Sequence, residues 1–400
     1  MQQPAAQRIL SRNIASFFTD HYAPGSVFSH CREQFNQRRK FFVTLTIKIA
    51  KVNIDVCGHW RIVFCNESGI IQSVSLKGET SKMKKILSLV LALTMILALG
   101  AFGPAASADE TYTVGICQLV QHVALDAATQ GFIDALTEEL GDAVTFDNQN
   151  ASGDISTCAT ICNNFAASGV DLILANATPA LQAAVAATDT IPVLGTSITE
   201  YGVALDIDDF NGVVGGNVSG TSDLAPLDQQ AQMVVDLFPE AKTAGILYCS
   251  SEANSVYQAK VVEEELEAKG LTVVVSTFAD SNDVAAVTQA LCDEVDVIYI
   301  PTDNTAASCT EAISNVAEPA GIPIIAGEEG LAKGCGVATL SINYYDLGVT
   351  TGKMAAKILK GEADISTMPI EYFPNPVKKY VPEFAEAFGL EFSDDYVAVE

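Results

Sequence analysis

The segment "VDLILANATPA" from Val170 returns as "VDVIYIPTDNTA" from Val295, and "IPVLG" from Ile191 returns as "IPIIAG" from Ile322. The spacing between these pairs is nearly the same in both halves. Each first segment is an unalternated apolar run that stops on polar residues, the pattern of a strand buried on both faces in a parallel sheet. The stretches around them alternate strand and helix. TYTVGICQLV, AVTFDNQ, VDLILANA and IPVLGTS are predicted strands, separated by the amphipathic segments LDAATQGFIDALTEEL, DISTCATICNNFAAS and PALQAAVAAT. After a polar, Gly-rich passage from Glu200 to Asp223 the series restarts with TAGILYCS, LTVVVSTFA, VDVIYIPTD and IPIIAGE as strands. Such a series builds right-handed βαβ units on a parallel sheet. A chain containing it twice is predicted to be α/β, with two Rossmann-like lobes facing each other.

A last unit, VATLSINYYDLGVTTGKMAAKILKG, follows the second series. Its strand and helix are expected to return to the first lobe, and the tail IEYF to the second. The predicted lobes are therefore 109–223 plus 337–366, and 224–336 plus 367–400, joined by a hinge of three crossings. Hinged lobes close over what lies between their strand ends.

Charge divides the chain before this series starts. Residues 1–82 carry 11 Lys+Arg against 5 Asp+Glu and contain every Arg, the single Trp60 and three of the four His; beyond Lys85 the net charge is −35. Between the two lies "MKKILSLVLALTMILALGAFGPAASADE". Two lysines, an apolar run and the triplet Ala106-Ser107-Ala108 are expected to make a secretory signal peptide over 83–108; the competing reading is a single membrane anchor, since Ile86 to Pro104 is just long enough to span a bilayer, but an anchor has no need of the triplet. Translation is accordingly expected to start at Met83, with residues 1–82 a mis-called leader outside the fold. The acidity beyond Lys85 argues against nucleic acid or an anionic membrane as partner, since both are bound through Lys/Arg clusters. Seven Cys follow the signal, an odd number set mostly in apolar periodic segments, so they are expected to be buried thiols. A metal pair at Cys158 and Cys162 lacks further ligands, and no metal or cofactor is expected.

In an open α/β sheet the ligand meets the loops after the strands. Here these are QLVQHVALD, NATPA, GTSITE, GTSD, CSSEANS, PTDN and GEEG, with no Arg or Lys in any of them. A phosphate ligand would want a cation or a glycine-rich cradle. A free amino acid needs hydroxyls and helix N–H groups for its carboxylate, which Thr178 and Ser197 offer, and an acid for its ammonium, which Asp303 offers. Asp303 has a second reading, as the N-cap of the following helix. His122, the only His beyond residue 82, stands four residues before Asp126. A His–Asp dyad for general-base chemistry is conceivable there, but no activated nucleophile accompanies it.

Taken together, "GICQLVQHVALDAATQGFIDAL", "NVSGTSDL", "GILYCSSEANS", "VDVIYIPTDNTAAS" and "GVATLSINYYDLGVTTGKMAAKILKGE" resemble, in order and spacing, bacterial ABC-transporter substrate-binding proteins of the tryptophan/tyrosine-binding type. The resemblance spans nearly all of Thr111 to Leu390. It implies a type I periplasmic-binding-protein fold, capture of an aromatic amino acid (Trp, Tyr or Phe) between the lobes, no catalysis, and delivery by a monomer to an ABC permease and its ATPase. It also implies ligand roles for His122, Thr178, Ser222, Asp223, Asn254, Ser255, Thr302, Asp303 and Asn304. The alternatives are a sugar or autoinducer receptor on the same fold and an α/β enzyme. The sequence departs from the family pattern twice. Ile198-Thr199-Glu200-Tyr201 stands where a Thr/Ser-Asp-Pro turn is common, and no lipobox Cys lies between Met83 and Ile116. The product is thus expected to be exported and soluble, in a periplasm or at the outer face of the membrane.

Overall fold

The structure is a computed structural model that describes the backbone of residues 51–54, 60–65 and 71–76, together with residues 111–373 and 375–399. It divides into two units, 1–106 and 107–400. In the first, β1 (Lys51–Ile54), β2 (Trp60–Cys65) and β3 (Ile71–Leu76) form an antiparallel meander with Trp60 opposite Ile54 and Leu76. The expected signal peptide at 83–108 lies outside the described residues.

The second unit is built on two sheets. β4 (Tyr112–Gln118), β5 (Val144–Asn150), β6 (Leu172–Asn176), β7 (Val193–Ile198) and β8 (Val218–Ser222) form the first, with β14 (Glu371–Tyr372) at its edge. All six strands are parallel, in the order β14-β8-β7-β6-β4-β5. The unalternated run LILAN forms β6 at the sheet's centre and is buried throughout. Helices α1 (Val123–Leu140), α2 (Ile155–Ser168), α3 (Thr178–Ala187) and α4 (Tyr201–Leu205) connect the strands. Asp154 caps α2 by accepting from the Thr157 N–H. One apolar cluster, around Phe165, Ile173 and Leu181, covers one face of the sheet; another, around Phe132, Leu136 and Leu174, covers the other.

The second sheet has the order β10-β9-β11-β12-β13-β15-β16. Its parallel part comprises β9 (Thr243–Cys249), β10 (Thr272–Phe278), β11 (Val297–Ile300), β12 (Ile324–Ala326) and β13 (Ala338–Ser341). β15 (Val377–Tyr380) runs antiparallel to β13, and β16 (Val397–Ala398) pairs with β15. Helices α5 (Leu227–Leu237), α6 (Ala253–Ala268), α7 (Val284–Cys292), α8 (Asn304–Ser308), α9 (Thr310–Ala320) and α10 (Glu329–Cys335) pack around it.

The last unit corrects the expected lobe boundaries. Strand β13, at the head of VATLSIN, stays in the second sheet beside β12, whereas its helix α11 (Tyr344–Leu359) packs on α1 of the first lobe. A strand is placed by the open edge it meets. β12 offers one immediately after the short helix α10, and the Val337 N–H already donates to the Ile324 carbonyl. The helix is placed by shape. A Cβ on Gly348 would stand 2.0 Å from the Ala128 carbonyl oxygen, and one on Gly131 2.1 Å from that of Tyr345, so the two helices touch backbone to backbone where only glycine fits. The tail is reversed as well. Ile370 enters the first lobe's core and β14 closes the first sheet on β8, after which β15 returns to the second. Three crossings therefore join the lobes, as expected, but they follow β8, β13 and β14.

All seven cysteines beyond residue 110 are free thiols, six of them buried, as expected. Among the described residues no helix is long and apolar enough to cross a membrane, and no cluster of three or more His, Cys, Asp or Glu could hold a metal ion.

Candidate functional site

The parallel strands β4 to β13 of both sheets point their carboxyl ends at the boundary between lobes, where the loops singled out in the sequence meet. Gln118, the last residue of β4, organises the first of them. Its amide nitrogen donates to the Val120 carbonyl (2.9 Å) and to Asp126 Oδ1 (2.7 Å), while its Oε1 accepts from the Thr129 hydroxyl (2.7 Å). Thr129 in turn accepts from Asn176 Nδ2 at 2.9 Å. This buried network holds loop 119–122, so that His122 enters α1 in extended backbone without capping it. Asp126 is occupied by Gln118 and not by the imidazole, so no His122–Asp126 hydrogen bond forms.

The next loops follow β6 and β7. Ala177 and Ser197 both take positive φ, 90° and 56°, a costly conformation for residues other than glycine that aims the following groups where a regular strand would not. Thr178 opens α3 and is buried. Ser197 lies in the irregularity between β7 and β8, with its Oγ buried. The departure Ile198-Thr199-Glu200-Tyr201 has a structural outcome. Glu200 caps the short helix α4, and Tyr201 goes into the core, donating to the Thr221 carbonyl at 3.1 Å. The Tyr201 hydroxyl fills the space beside Gly220, whose φ of 145° and closeness to the Gly195 backbone exclude a side chain.

At the end of β8 the Ser222 hydroxyl donates to the Thr199 carbonyl (2.8 Å) and accepts from the Leu224 N–H (3.2 Å), so it secures the crossing. Asp223 follows it, buried. Its Oδ2 accepts from the Tyr344 hydroxyl at 2.9 Å and its Oδ1 has no partner.

From the second lobe, Asp303 realises the capping reading: Oδ1 accepts from the Ala306 N–H (2.7 Å), and Oδ2 accepts from the Cys249 N–H (2.7 Å), pinning β9 to β11. Asn254 donates to the Thr302 carbonyl at 3.0 Å, and its Oδ1 is buried and unpartnered. The Thr302 N–H donates to Gln258 Oε1 at 3.2 Å. The Ser255 hydroxyl accepts from Asn254 Nδ2 at 3.3 Å. Asn304 Oδ1 lies 3.3 Å from His122 Nε2, a contact between residues of opposite lobes. Of the ten residues singled out in the sequence, four thus carry a buried polar atom without a protein partner: His122 Nδ1, Ser197 Oγ, Asp223 Oδ1 and Asn254 Oδ1. Buried polar atoms rarely stay unpaired, and these four belong to the strand-end loops of both lobes.

Sequence reading overlooked Glu252 and Glu328. Glu252 is 2% exposed and bonds to Asn304 and Thr305. Glu328 is 1% exposed and caps α10, accepting from the Gly330 N–H at 2.6 Å. The loops CSSEANS and GEEG drew attention to the right places, but no local pattern says which acid in them turns inward. Four buried carboxylates therefore border the cleft, and the ion pairs of Lys269, Lys360, Lys378 and Lys379 are made to other acids. Burial is the main cause of the shifts of Asp223, Asp303 and Glu328. It raises Asp223 to about 6 against the bond from Tyr344, and Glu328 to about 7. Asp303 is raised to about 7 by burial and then by the Glu252 charge, against its backbone N–H donors. The His122 imidazole is pushed down by burial. Such a site is short of positive charge.

The profile of a protein family described as ABC transporter substrate binding protein matches residues 113–376. A curated "Tyrosine-binding protein" of Clostridioides difficile (strain R20291) is 36% identical over 307 residues, which is 72% of this chain and 88% of that one. Among solved structures, an ABC domain from Streptococcus pneumoniae in complex with L-Trp is 34% identical, covers 71% of this chain and 96% of its own, and superposes with a TM-score of 0.68. The ligand-free, open structure of a substrate-binding protein with adhesive properties from Clostridium difficile is 36% identical, covers 72% and 100%, and superposes with a TM-score of 0.56. The His122–Asn304 contact, and the 3.0 Å from a Cβ built on Gly330 to Val123 Cβ, agree with a shut cleft.

Proposed function

Since the chain belongs to the ABC transporter substrate-binding protein family, whose members are binding receptors and not enzymes, we propose that it captures a free aromatic amino acid between its lobes for an ABC importer. The observation that carries this reading is Asp223: a fully buried carboxylate, near a cleft bordered by further buried acids, with one oxygen unpartnered. A carboxylate desolvated without a counter-charge is costly, and an ammonium group on Oδ1 offsets that cost. Asp223 thus takes the role the sequence reading gave to Asp303, whose two oxygens already bind backbone N–H groups. Ser197 Oγ, Thr178 and the first N–H groups of the ten-residue α3 suit the ligand carboxylate. His122 and Asn254 offer their unpartnered atoms to the rest of the ligand, and Thr302, Asn304, Ser255 and Ser222 hold these groups in place. The aromatic preference is supported by relatives described as tyrosine-binding and as an L-Trp complex.

Export through the segment 83–108 and presentation of the closed form to a permease complete the reading. A micromolar complex corresponds to about 8 kcal/mol, of which only the part that favours the shut lobes drives closure. The test is calorimetric titration of protein stripped by unfolding and refolding, with L-Trp, L-Tyr and L-Phe. Saturable binding of at least one, with the other two as competitors, is the expected result. No heat with any of the three, beside saturation by a neutral sugar, would overturn it. Mass spectrometry of the exported protein is expected to find a chain beginning near Asp109; a peptide from "RILSRNIASFF" would refute the assignment of the leader.

A further inference from the structure

The short contacts of Glu252 are with a single turn of chain, beside a longer one from Asn254 Nδ2 at 3.4 Å. Oε2 accepts from the Asn304 N–H at 3.1 Å and from Asn304 Nδ2 at 2.6 Å; Oε1 accepts from the Thr305 N–H at 2.8 Å and its hydroxyl at 2.7 Å. A carboxylate is an acceptor only. The Asn304 amide must therefore turn its NH2 toward Glu252, because its oxygen there would face another oxygen. That orientation leaves Asn304 Oδ1 toward His122 Nε2 in the opposite lobe. An amide oxygen also only accepts, so Nε2 must carry the proton. In a neutral imidazole the other nitrogen is then a bare acceptor, and His122 Nδ1 is buried without a protein partner.

We infer that Glu252 sets the tautomer of His122 through Asn304 as the lobes shut, so that a bound ligand must present an N–H or O–H donor to His122 Nδ1. The inference rests on the reading of the cleft as an amino-acid site and narrows it. Ligand ammonium, indole N–H and phenol O–H can satisfy Nδ1, whereas a carboxylate oxygen or an unsubstituted ring edge cannot. Glu252, Asn304 and Thr305 all belong to the second lobe, so that half of the relay is assembled before closure. His122 comes from the first lobe, and only the shut form completes the chain. Glu252 is accordingly a positioning residue, acting on the ligand through two side chains. Burial of the imidazole supports the neutral form. Asp126, which could have oriented His122 locally, is bound by Gln118 instead.

The test is nitrogen-15 NMR of the histidine rings in the full chain, alone and with saturating L-Trp, the His122 signals being assigned by their loss in His122→Gln. With L-Trp, His122 is expected to show a protonated Nε2 and an unprotonated Nδ1 shifted by an accepted hydrogen bond. Glu252→Gln can donate as well as accept, which frees the Asn304 amide to flip. It is expected to mix the two tautomers and to weaken L-Trp binding about tenfold or more, the scale of one charge-assisted hydrogen bond, while the circular dichroism of the fold is kept. An Nδ1–H tautomer or an imidazolium in wild-type protein would overturn the inference whatever the variant does. So would a Glu252→Gln protein with wild-type ring signals and affinity. If wild-type protein binds none of L-Trp, L-Tyr and L-Phe, the receptor reading falls, and the relay is then judged by the same tautomer criterion on the ligand-free spectrum; if it binds only L-Tyr or L-Phe, that amino acid replaces L-Trp in the test.

Discussion

Replacing Asp223 with Asn separates what this carboxylate costs the empty protein from what it contributes to a bound one. Asp223 is wholly buried, and its pKa is raised from 3.8 to about 6, chiefly by burial. At about 1.4 kcal/mol per pH unit, the ionised group then weakens the ligand-free fold by up to about 3 kcal/mol at pH 8. Asn keeps the shape and still accepts from the Tyr344 hydroxyl through its oxygen, so Asp223→Asn should raise the stability of stripped protein toward that limit. The same change removes the counter-charge of the ligand ammonium. Truncating one partner of a buried charged pair costs about 2–5 kcal/mol, so L-Trp affinity should fall about thirtyfold or more. Urea unfolding at pH 8, with and without L-Trp, reads both quantities on one sample: the midpoint without ligand rises, and the extra stabilisation by ligand disappears. A variant that binds L-Trp within about threefold of wild type, or that is less stable when empty, would refute the reasoning, since an ammonium anchor must give both signs together.

Three further outcomes follow from the same geometry. Asp303→Ala at pH 6, where its raised pKa of about 7 leaves the carboxyl largely uncharged, strands the Ala306 and Cys249 N–H groups; urea midpoints should report a loss of about 2–4 kcal/mol, and an unchanged midpoint would contradict the structural role. The pH dependence has a definite sign. Asp223, Asp303 and Glu328 have folded pKa values above their unfolded ones, so their contribution to stability is complete below about pH 4 and is lost as pH rises through 6 to 7. The melting temperature of stripped protein should therefore fall between pH 5 and 8 while L-Trp affinity rises as Asp223 ionises; calorimetry showing both moving the same way would exclude the ammonium reading. Gly348→Ala drives a methyl group into the Ala128 carbonyl and should lower stability by about 2 kcal/mol or more, with ligand affinity in the surviving folded fraction unchanged.

How much of this was legible beforehand can be judged from particular residues. The runs LILAN and VIYI sit at the heart of their sheets as their lack of alternation required, because a strand covered on both faces has no polar side to show. Strand β8, VSGTS, was hidden in a polar, Gly-rich passage, since only Val218 and Thr221 among its residues favour a strand. It forms because β7 offers an open edge and because Gly220 and the Tyr201 hydroxyl fit the space between them. In the same way, Asp303 as a cap is a local event readable three residues ahead, whereas Glu252 acquires its meaning from Asn304 and Thr305, which are distant in the chain.

The division lies in the range of the forces. Apolar periodicity, turn residues, caps and charge act between near neighbours, so the sequence by itself determined the alternation of elements, the two-lobed α/β architecture, the strand-end loops that line the cleft and the absence of a cation among them. Which lobe received β13, α11 and β14 was decided by open sheet edges and by glycines that let two helices touch. Which carboxylate kept a free oxygen, and which nitrogen of His122 faces Asn304, depend on hydrogen-bond partners brought from opposite lobes, and only the closed tertiary structure sets those partners in place.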